Sequence, residues 1–363
     1  MSDAPQPPTA GCRISDPRVT DGIGPPTCDE LYAQLRTVDD PVLGDDIVSL
    51  GLVDDVSVDR DLIVVEMGLY APYAPNERRI VEDVHEALRF FDREIVTVVG
   101  TRGRARARRG RLPSIRNVVP FVGRGGAVDV STVTVNVAFA LSRIGARVGV
   151  LTLGDGVSDD VADGAVTDAS VTSGTPATVY GVSVARASTI ERAARGIEWG
   201  GLDYLFVAVQ SDESELRTAR SDRLSTTGPV VVAASTRSAR ESQPVSSESS
   251  TSTANGWERP DRADGWVRPP LGVIEMSNGT GCEETDRRVE HLGGERLTDG
   301  SKLPVFGRIP DLAAIDTEHG TPVVWADHEF STMFDSLASG IADAIGARAR
   351  RAHGNRVRSG GDH

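Results

Sequence analysis

At 363 residues the chain is long for one compact domain and implies two units, or one large domain with a small companion. A hydrophobic share of 39% supplies a core, though a lean one for this length. Acids outnumber bases by 53 to 39, and the formal charge of −14 argues against a general nucleic-acid or anionic-membrane binder.

Residues 1–28 are rich in Pro, Gly, Asp and Thr and lack periodicity, so they read as a flexible, disordered lead-in. The first ten are polar and proline-rich with no apolar run, which is unlike a signal peptide. From Asp29 the pattern tightens. Leu31 and Leu35 fit a short helix, and residues 62–67 alternate as a strand. Ile80, Val81, Val84, Leu88 and Phe91 recur at three- and four-residue spacing, which predicts an amphipathic helix, and residues 95–99 predict a further strand. This is a small α+β domain over 29–100. Residues 101–116 carry seven arginines from Arg102 to Arg116 and no acid, a self-repelling linker; the sharper alternative is a basic arm for nucleic acid or an acidic partner.

From Asn117 strand-like and helix-like runs alternate. Strands are predicted at 118–122, 147–153, 204–209, 229–233, 271–275 and 305–309, with a helix over 132–143. Such alternation implies an α/β domain with a mostly parallel sheet and helices on both faces, spanning 117–346. Within it, 236–270 is a low-complexity insertion. A last helix over 330–345 precedes an Arg- and Gly-rich tail, 347–363, expected to be disordered. No run approaches the ~20 apolar residues that span a bilayer. The three cysteines, Cys12, Cys28 and Cys282, are too few and scattered for a disulfide framework, and Cys12 with Cys28, 16 positions apart, makes a weak pair of metal ligands. Lys302 is the only lysine among the 39 basic residues. An acidic, Asp-rich, nearly lysine-free composition suggests a halophilic, GC-rich source, and the expected location is cytoplasmic.

Two segments carry a family resemblance. VDDPVLGDDIVSLGLVDDVSV, residues 38–58, resembles the opening of the small iron–sulfur-assembly domain often fused in front of Mrp-type proteins. PSIRNVVPFVGRGGAVDVSTVTVNVAFALSRIGARVGVL, residues 113–151, is similar to the P-loop segment of Mrp proteins, which belong to the MinD/ParA group of P-loop ATPases. WGGLDYLFVAV, LGVIEMS, LPVFGRIP and GTPVVWAD follow in the family's order. The resemblance implies a P-loop NTPase-like fold and an ATP-dependent iron–sulfur cluster carrier. It also implies a homodimer whose subunits share a cluster through C-x-x-C pairs.

The residues that should carry that chemistry depart from the pattern. A P-loop surrounds phosphate with backbone N–H groups and a helix N-terminus, with a lysine on the phosphates and a Ser/Thr on magnesium. Here GRGGAVDVST replaces G-K-G-G-x-G-K-S/T and is one residue longer. The nucleotide-binding candidates are Gly123, Arg124, Gly125, Gly126, Ser131 and Thr132. Arg124 stands at the extra lysine, while Val128, Asp129 and Val130 replace the later Gly-Lys. Asp129 brings a like charge toward phosphate, and Pro120 falls in a strand expected to be central.

The family's Asp-x-Asp aligns with Thr152, Leu153 and Gly154, with Asp155 one step later. Ala208 stands at the magnesium-coupled Asp. The C-x-x-C is reduced to Cys282, and the small domain's usual cysteine is Ala74. Its acidic opening, from Asp40 to Asp46, survives as turn and cap chemistry. The six histidines have no ligand spacing. No catalytic or metal-ligating residue is assigned, and ATP/Mg and a cluster are implied by the resemblance alone.

The resulting reading is a degenerate, pseudoenzyme-like Mrp paralogue, a scaffold or partner in cluster assembly. Its expected partners are a second copy, an active Mrp-type protein and iron–sulfur-assembly proteins. One alternative is an ATP-binding cluster carrier using Arg124, Ser131 and Thr132. A further one is a ParA/MinD-like regulator with the arginine run as its arm.

Overall fold

The computed structural model describes residues 11–14, 26–59, 61–101, 115, 117–124, 130–153, 174–187, 196–209, 227–235, 269–277, 303–310, 322, 324 and 331–359. The chain forms two compact units, Met1–Arg104 together with Ala342–His363, and Ala105–Ile341.

The small unit has a four-stranded sheet in the order β1 (Gly11–Ile14), β2 (Val53–Asp59), β3 (Leu62–Leu69), β4 (Glu94–Thr101). β2 and β3 are antiparallel, while β1–β2 and β3–β4 are parallel. Helix α1 (Cys28–Leu35) starts at a capping box: Thr27 N–H donates to Glu30 Oε2 at 2.8 Å, and Thr27 Oγ1 accepts from Glu30 N–H at 3.3 Å. Helix α2 (Pro75–Leu88) has proline at its first turn and buries Ile80, Val84 and Leu88, the spacing read from sequence. It supplies the crossover that parallel strands β3 and β4 require. Leu31, Leu35, Ile47, Leu52, Val56, Ile63, Val65 and Met67 join the same core.

Two expectations are corrected in this unit. In the supposed lead-in, Gly11–Ile14 pairs in register with residues 55–58 of β2, and Cys12 is disulfide-bonded to Cys28 at 2.02 Å. The bond works because Cys28 opens α1 beside the sheet edge that β1 extends. In the supposed disordered tail, the last helix, α4 (Ser331–Ser359), runs well past residue 347. Arg350 within it is fully buried, because carboxylates of the small unit receive its guanidinium.

The larger unit has an eight-stranded sheet. Its strands are β5 (Asn117–Arg124), β6 (Val148–Leu153), β7 (Ala177–Val179), β8 (Val182–Ala187), β9 (Tyr204–Val209), β10 (Val230–Ser235), β11 (Gly272–Ser277) and β12 (Val305–Ile309). Their order is β12-β11-β10-β5-β9-β6-β8-β7, and only β7–β8 is antiparallel. Strands buried on both faces, such as YLFVAV in β9, read as unbroken apolar runs for this reason. The β7–β8 hairpin, absent from the sequence reading, turns on Tyr180 and Gly181, both at positive φ (45° and 83°).

Pro120 is accommodated inside β5. It pairs in register with Val207 of β9, but β10 joins β5 only from Phe121 onward. Just before that ladder begins, the Thr227 hydroxyl donates to the Val118 carbonyl at 3.1 Å. Helix α3 (Val130–Arg143) packs against β5, β6, β8 and β9 and is buried from Val130 to Leu141 apart from Thr132. The first part of α4 lies on β12, where Leu337 approaches Gly307. At the amino ends of the strands, Asp203 accepts from Arg147 N–H and guanidinium at 2.9–3.2 Å, and its carbonyl accepts from Asn117 Nδ2 at 3.2 Å.

Candidate functional site

Open α/β sheets bind ligands outside the carboxyl ends of their strands, where the order of strands reverses. That point here is β5, with β9 on one side and β10 on the other. β5 ends in Gly123 and Arg124, in register with Val232 and Ala233 of β10, and α3 begins at Val130. The strand end and the helix start therefore bracket the GRGGAVDVST segment. Ser131 is buried and Thr132 half-buried in the first turn of α3. Gly125, Gly126, Val128 and Asp129 lie outside the described residues, as do Asp155, Cys282 and Lys302.

The neighbouring strand ends are chemically quiet. Ala208 of β9 pairs with Phe121 of β5 on one side and Thr152 of β6 on the other. Thr152 and Leu153 close β6, Ala208 and Val209 close β9, and all four are buried. None is a carboxylate, so these positions do not fit a magnesium ion. Among the described residues no group of three or more His, Cys, Asp and Glu could hold a metal. A cluster shared by two subunits asks each for a pair of thiolates. Cys12 and Cys28 are bonded to each other, and Cys282 is the only other cysteine in the chain. The cysteine set does not fit a shared cluster.

Two features escape the sequence reading. Val324, in the GTPVVWAD segment, is held to α3 by its main chain: its N–H donates to Asn136 Oδ1 at 3.4 Å and its carbonyl accepts from Arg143 Nη1 at 3.0 Å. Arg143 also pairs with Asp335 of α4. Asn136, a buried amide in the middle of α3, is the signal that could have pointed to it.

The second feature lies in the small unit, where Asp40, Glu77 and Arg350 are all buried. Arg350 Nε donates to Asp40 Oδ2 at 2.5 Å, and Nη1 donates to Glu77 Oε1 at 2.7 Å. Burial pushes the Glu77 carboxyl above its ordinary range, against the opposing pull of Arg350 and of the Ala71 and Tyr70 amides. Asp46, by contrast, performs the expected turn chemistry, accepting from Val48 and Ser49 N–H at 3.0 and 2.8 Å. Ala74 is buried at the start of α2 and offers no side-chain cap.

Comparison with known proteins supplies the kinship. Residues 29–98 match the family described as iron–sulfur cluster assembly protein. The chain is 28% identical over 333 residues to the iron–sulfur cluster carrier protein of Deinococcus radiodurans, covering 83% of this chain and 90% of that one. It is 23% identical over 266 residues to the protein of the same name from Methanococcus maripaludis, covering 65% and 88%. Among solved structures, the MinC:MinD cell division protein complex of Aquifex aeolicus aligns at 16% identity and a TM-score of 0.36, over 62% of this chain and 94% of that one. The two findings agree with each other: residues 29–98 match an iron–sulfur-assembly domain, and the chain is similar along most of its length to proteins named as iron–sulfur cluster carriers.

Proposed function

We propose that the chain acts in iron–sulfur cluster assembly as a degenerate, non-catalytic family member, a cytoplasmic scaffold or partner that keeps the P-loop frame without turning ATP over. One observation carries this reading: Thr152, Leu153, Ala208 and Val209 at the strand ends beside β5, buried and without a carboxylate. Phosphoryl transfer in this class depends on positioning and charge neutralisation, with magnesium held by an acid at such a strand end. The sequence supports the same view, since its single lysine is Lys302 and Asp129 stands in the phosphate loop. Relatives named as cluster carriers point to cluster assembly as the setting. The partners that follow are a second copy or an active Mrp-type protein, together with the assembly machinery.

The test is ATP turnover by the purified chain in high potassium chloride, with magnesium, against a heat-inactivated control. Turnover indistinguishable from that control, alongside co-purification with an active family member, is the expected result; hydrolysis above the control overturns the reading.

A specific observation favours a second reading, an ATP-binding carrier. Gly123 and Arg124 at the end of β5, with Ser131 and Thr132 opening α3, keep the strand–loop–helix frame in which helix N–H groups receive phosphate. A nucleotide bound there would be held by these residues, with Arg124 in the lysine's place. Calorimetric titration of ATP with magnesium separates the readings: saturable heat favours the carrier, and no heat from folded protein favours the scaffold.

A further inference from the structure

The small unit holds two carboxylates in place with its own backbone. Asp40 Oδ1 accepts from Val42 and Leu43 N–H at 2.8 and 3.0 Å. Glu77 accepts from Tyr70 N–H at 3.1 Å and from Ala71 N–H at 2.8 Å. Every one of these contacts spans seven residues or fewer and lies inside the 29–98 segment. The two side chains are thus aimed by contacts local in sequence. Asp40 Oδ2 is taken by Arg350 Nε, and Glu77 Oε1, which also accepts from Tyr70 N–H, receives Arg350 Nη1. A planar guanidinium presents forked donors in fixed directions toward two carboxylates at once, a geometry that the three rotatable donors of an ammonium do not preset.

The helix that delivers this group is shaped for close approach. One turn before Arg350, a Cβ at Gly346 would lie 2.8 Å from Glu77 Oε1 and 3.2 Å from Ala71 Cβ. One turn after it, a Cβ at Gly354 would lie 2.9 Å from Leu50 Cδ2. Asp343 accepts from Asn76 N–H at 2.8 Å, at the positive end of α2. His353 meets the Tyr70 ring at a centroid distance of 6.1 Å.

The occupancy is incomplete. Arg350 Nη2 is buried and has no hydrogen-bond partner among the described residues, and one guanidinium faces two carboxylates. A buried polar network that is only partly satisfied is costly, so Arg350 matches the donor-binding capacity of these carboxylates imperfectly.

We propose that Asp40 and Glu77 form a guanidinium-binding site of the small unit, built to receive an arginine carried on a glycine-notched helix, and that residues 342–359 of this chain fill and close it in cis. The site is an interaction surface whose ligand class is an arginine-bearing helix, and the chain carries its own copy of that ligand. The inference is independent of nucleotide or cluster binding.

Chemical rescue tests it in the full chain. Arg350→Ala leaves both carboxylates and removes the guanidinium. Guanidinium or methylguanidinium at low millimolar concentration should raise the melting temperature of this variant along a saturable curve. The wild type should not respond, nor should the triple variant Arg350→Ala, Asp40→Asn, Glu77→Gln. No saturable rise in folded Arg350→Ala overturns the proposal, and so does an equal rise with ammonium.

Should Arg350→Ala not fold, the readout is refolding yield. Recovery with methylguanidinium but not with ammonium supports the site, and recovery with neither overturns it. Closure is tested with a labelled peptide of residues 342–359. It should bind Arg350→Ala at least ten times more tightly than wild type; equal binding to the two, or none to either, overturns closure in cis.

Discussion

Gly346 and Gly44 serve different physical needs. Gly346 lies inside a helix, where alanine is intrinsically favoured over glycine by about 1 kcal/mol. A Cβ there would sit 2.8 Å from a carboxylate oxygen already engaged with Arg350, so Gly346→Ala should lower stability by about 1–3 kcal/mol. Gly44 has no neighbour within 4 Å of a built Cβ but adopts φ +72°, so Gly44→Ala should cost about 1–2 kcal/mol through the backbone alone. Denaturant unfolding of the two variants checks both. The second should be relieved by asparagine, which tolerates that region, whereas Gly346→Asn should remain destabilising.

Glu77 gives a pH dependence with a definite sign. Burial raises its folded-state pKa above the model-peptide 4.5, so the folded protein binds this proton more tightly than the unfolded chain does. Its contribution is complete below about 4.5 and is lost as pH rises through the folded value. The stability of wild type relative to Glu77→Gln should therefore decline upward from pH 4.5. A difference that grows with pH would mean that Arg350 and the two backbone amides outweigh desolvation.

Arg350 also marks what was illegible in the sequence. It stands in an arginine- and glycine-rich run, and its partners lie 273 and 310 positions away. Local composition reads such a run as a solvated tail, because burial of one charge depends on two distant carboxylates that no periodicity announces.

At the scale of elements, those governed by local pattern were legible. The three- and four-residue spacing of Ile80, Val84 and Leu88 is that of α2, and the apolar runs of β6 and β9 are those of strands buried on both faces. Strand β1 was not legible. Four residues among glycines and prolines become a strand through pairing with β2 and through the Cys12–Cys28 bond. Two consequences are measurable. Denatured protein without reductant should show one free thiol, and three after reduction. Closing a loop with a separation of 16 residues constrains the unfolded chain by about 3 kcal/mol, so replacing both cysteines by serine should lower the small unit's stability by up to that amount. Three thiols before reduction would remove the bond and leave β1 held by its ladder alone.

At the scale of the molecule, the strand and helix that flank the GRGGAVDVST segment were legible, with Gly123 and Arg124 at a strand end and Ser131 and Thr132 at a helix start. The small unit's composition was not legible, since it draws on both ends of the chain, Met1–Arg104 and Ala342–His363. The matched segment 29–98 is therefore only part of that unit. If the carboxyl-terminal segment were an appendage, removing residues 342–363 would leave the small sheet as stable as before. Removal instead strips the guanidinium from Asp40 and Glu77, and breaking one side of a buried charge contact costs about 3–5 kcal/mol. Amide exchange in β3 and α2 of the truncated chain should accelerate at least tenfold, while β9 of the larger unit keeps its protection. Unchanged protection in β3 would show that the small unit stands without its arginine helix. Acceleration confined to β3 and α2 would show that the last residues of the chain complete the fold of the first hundred.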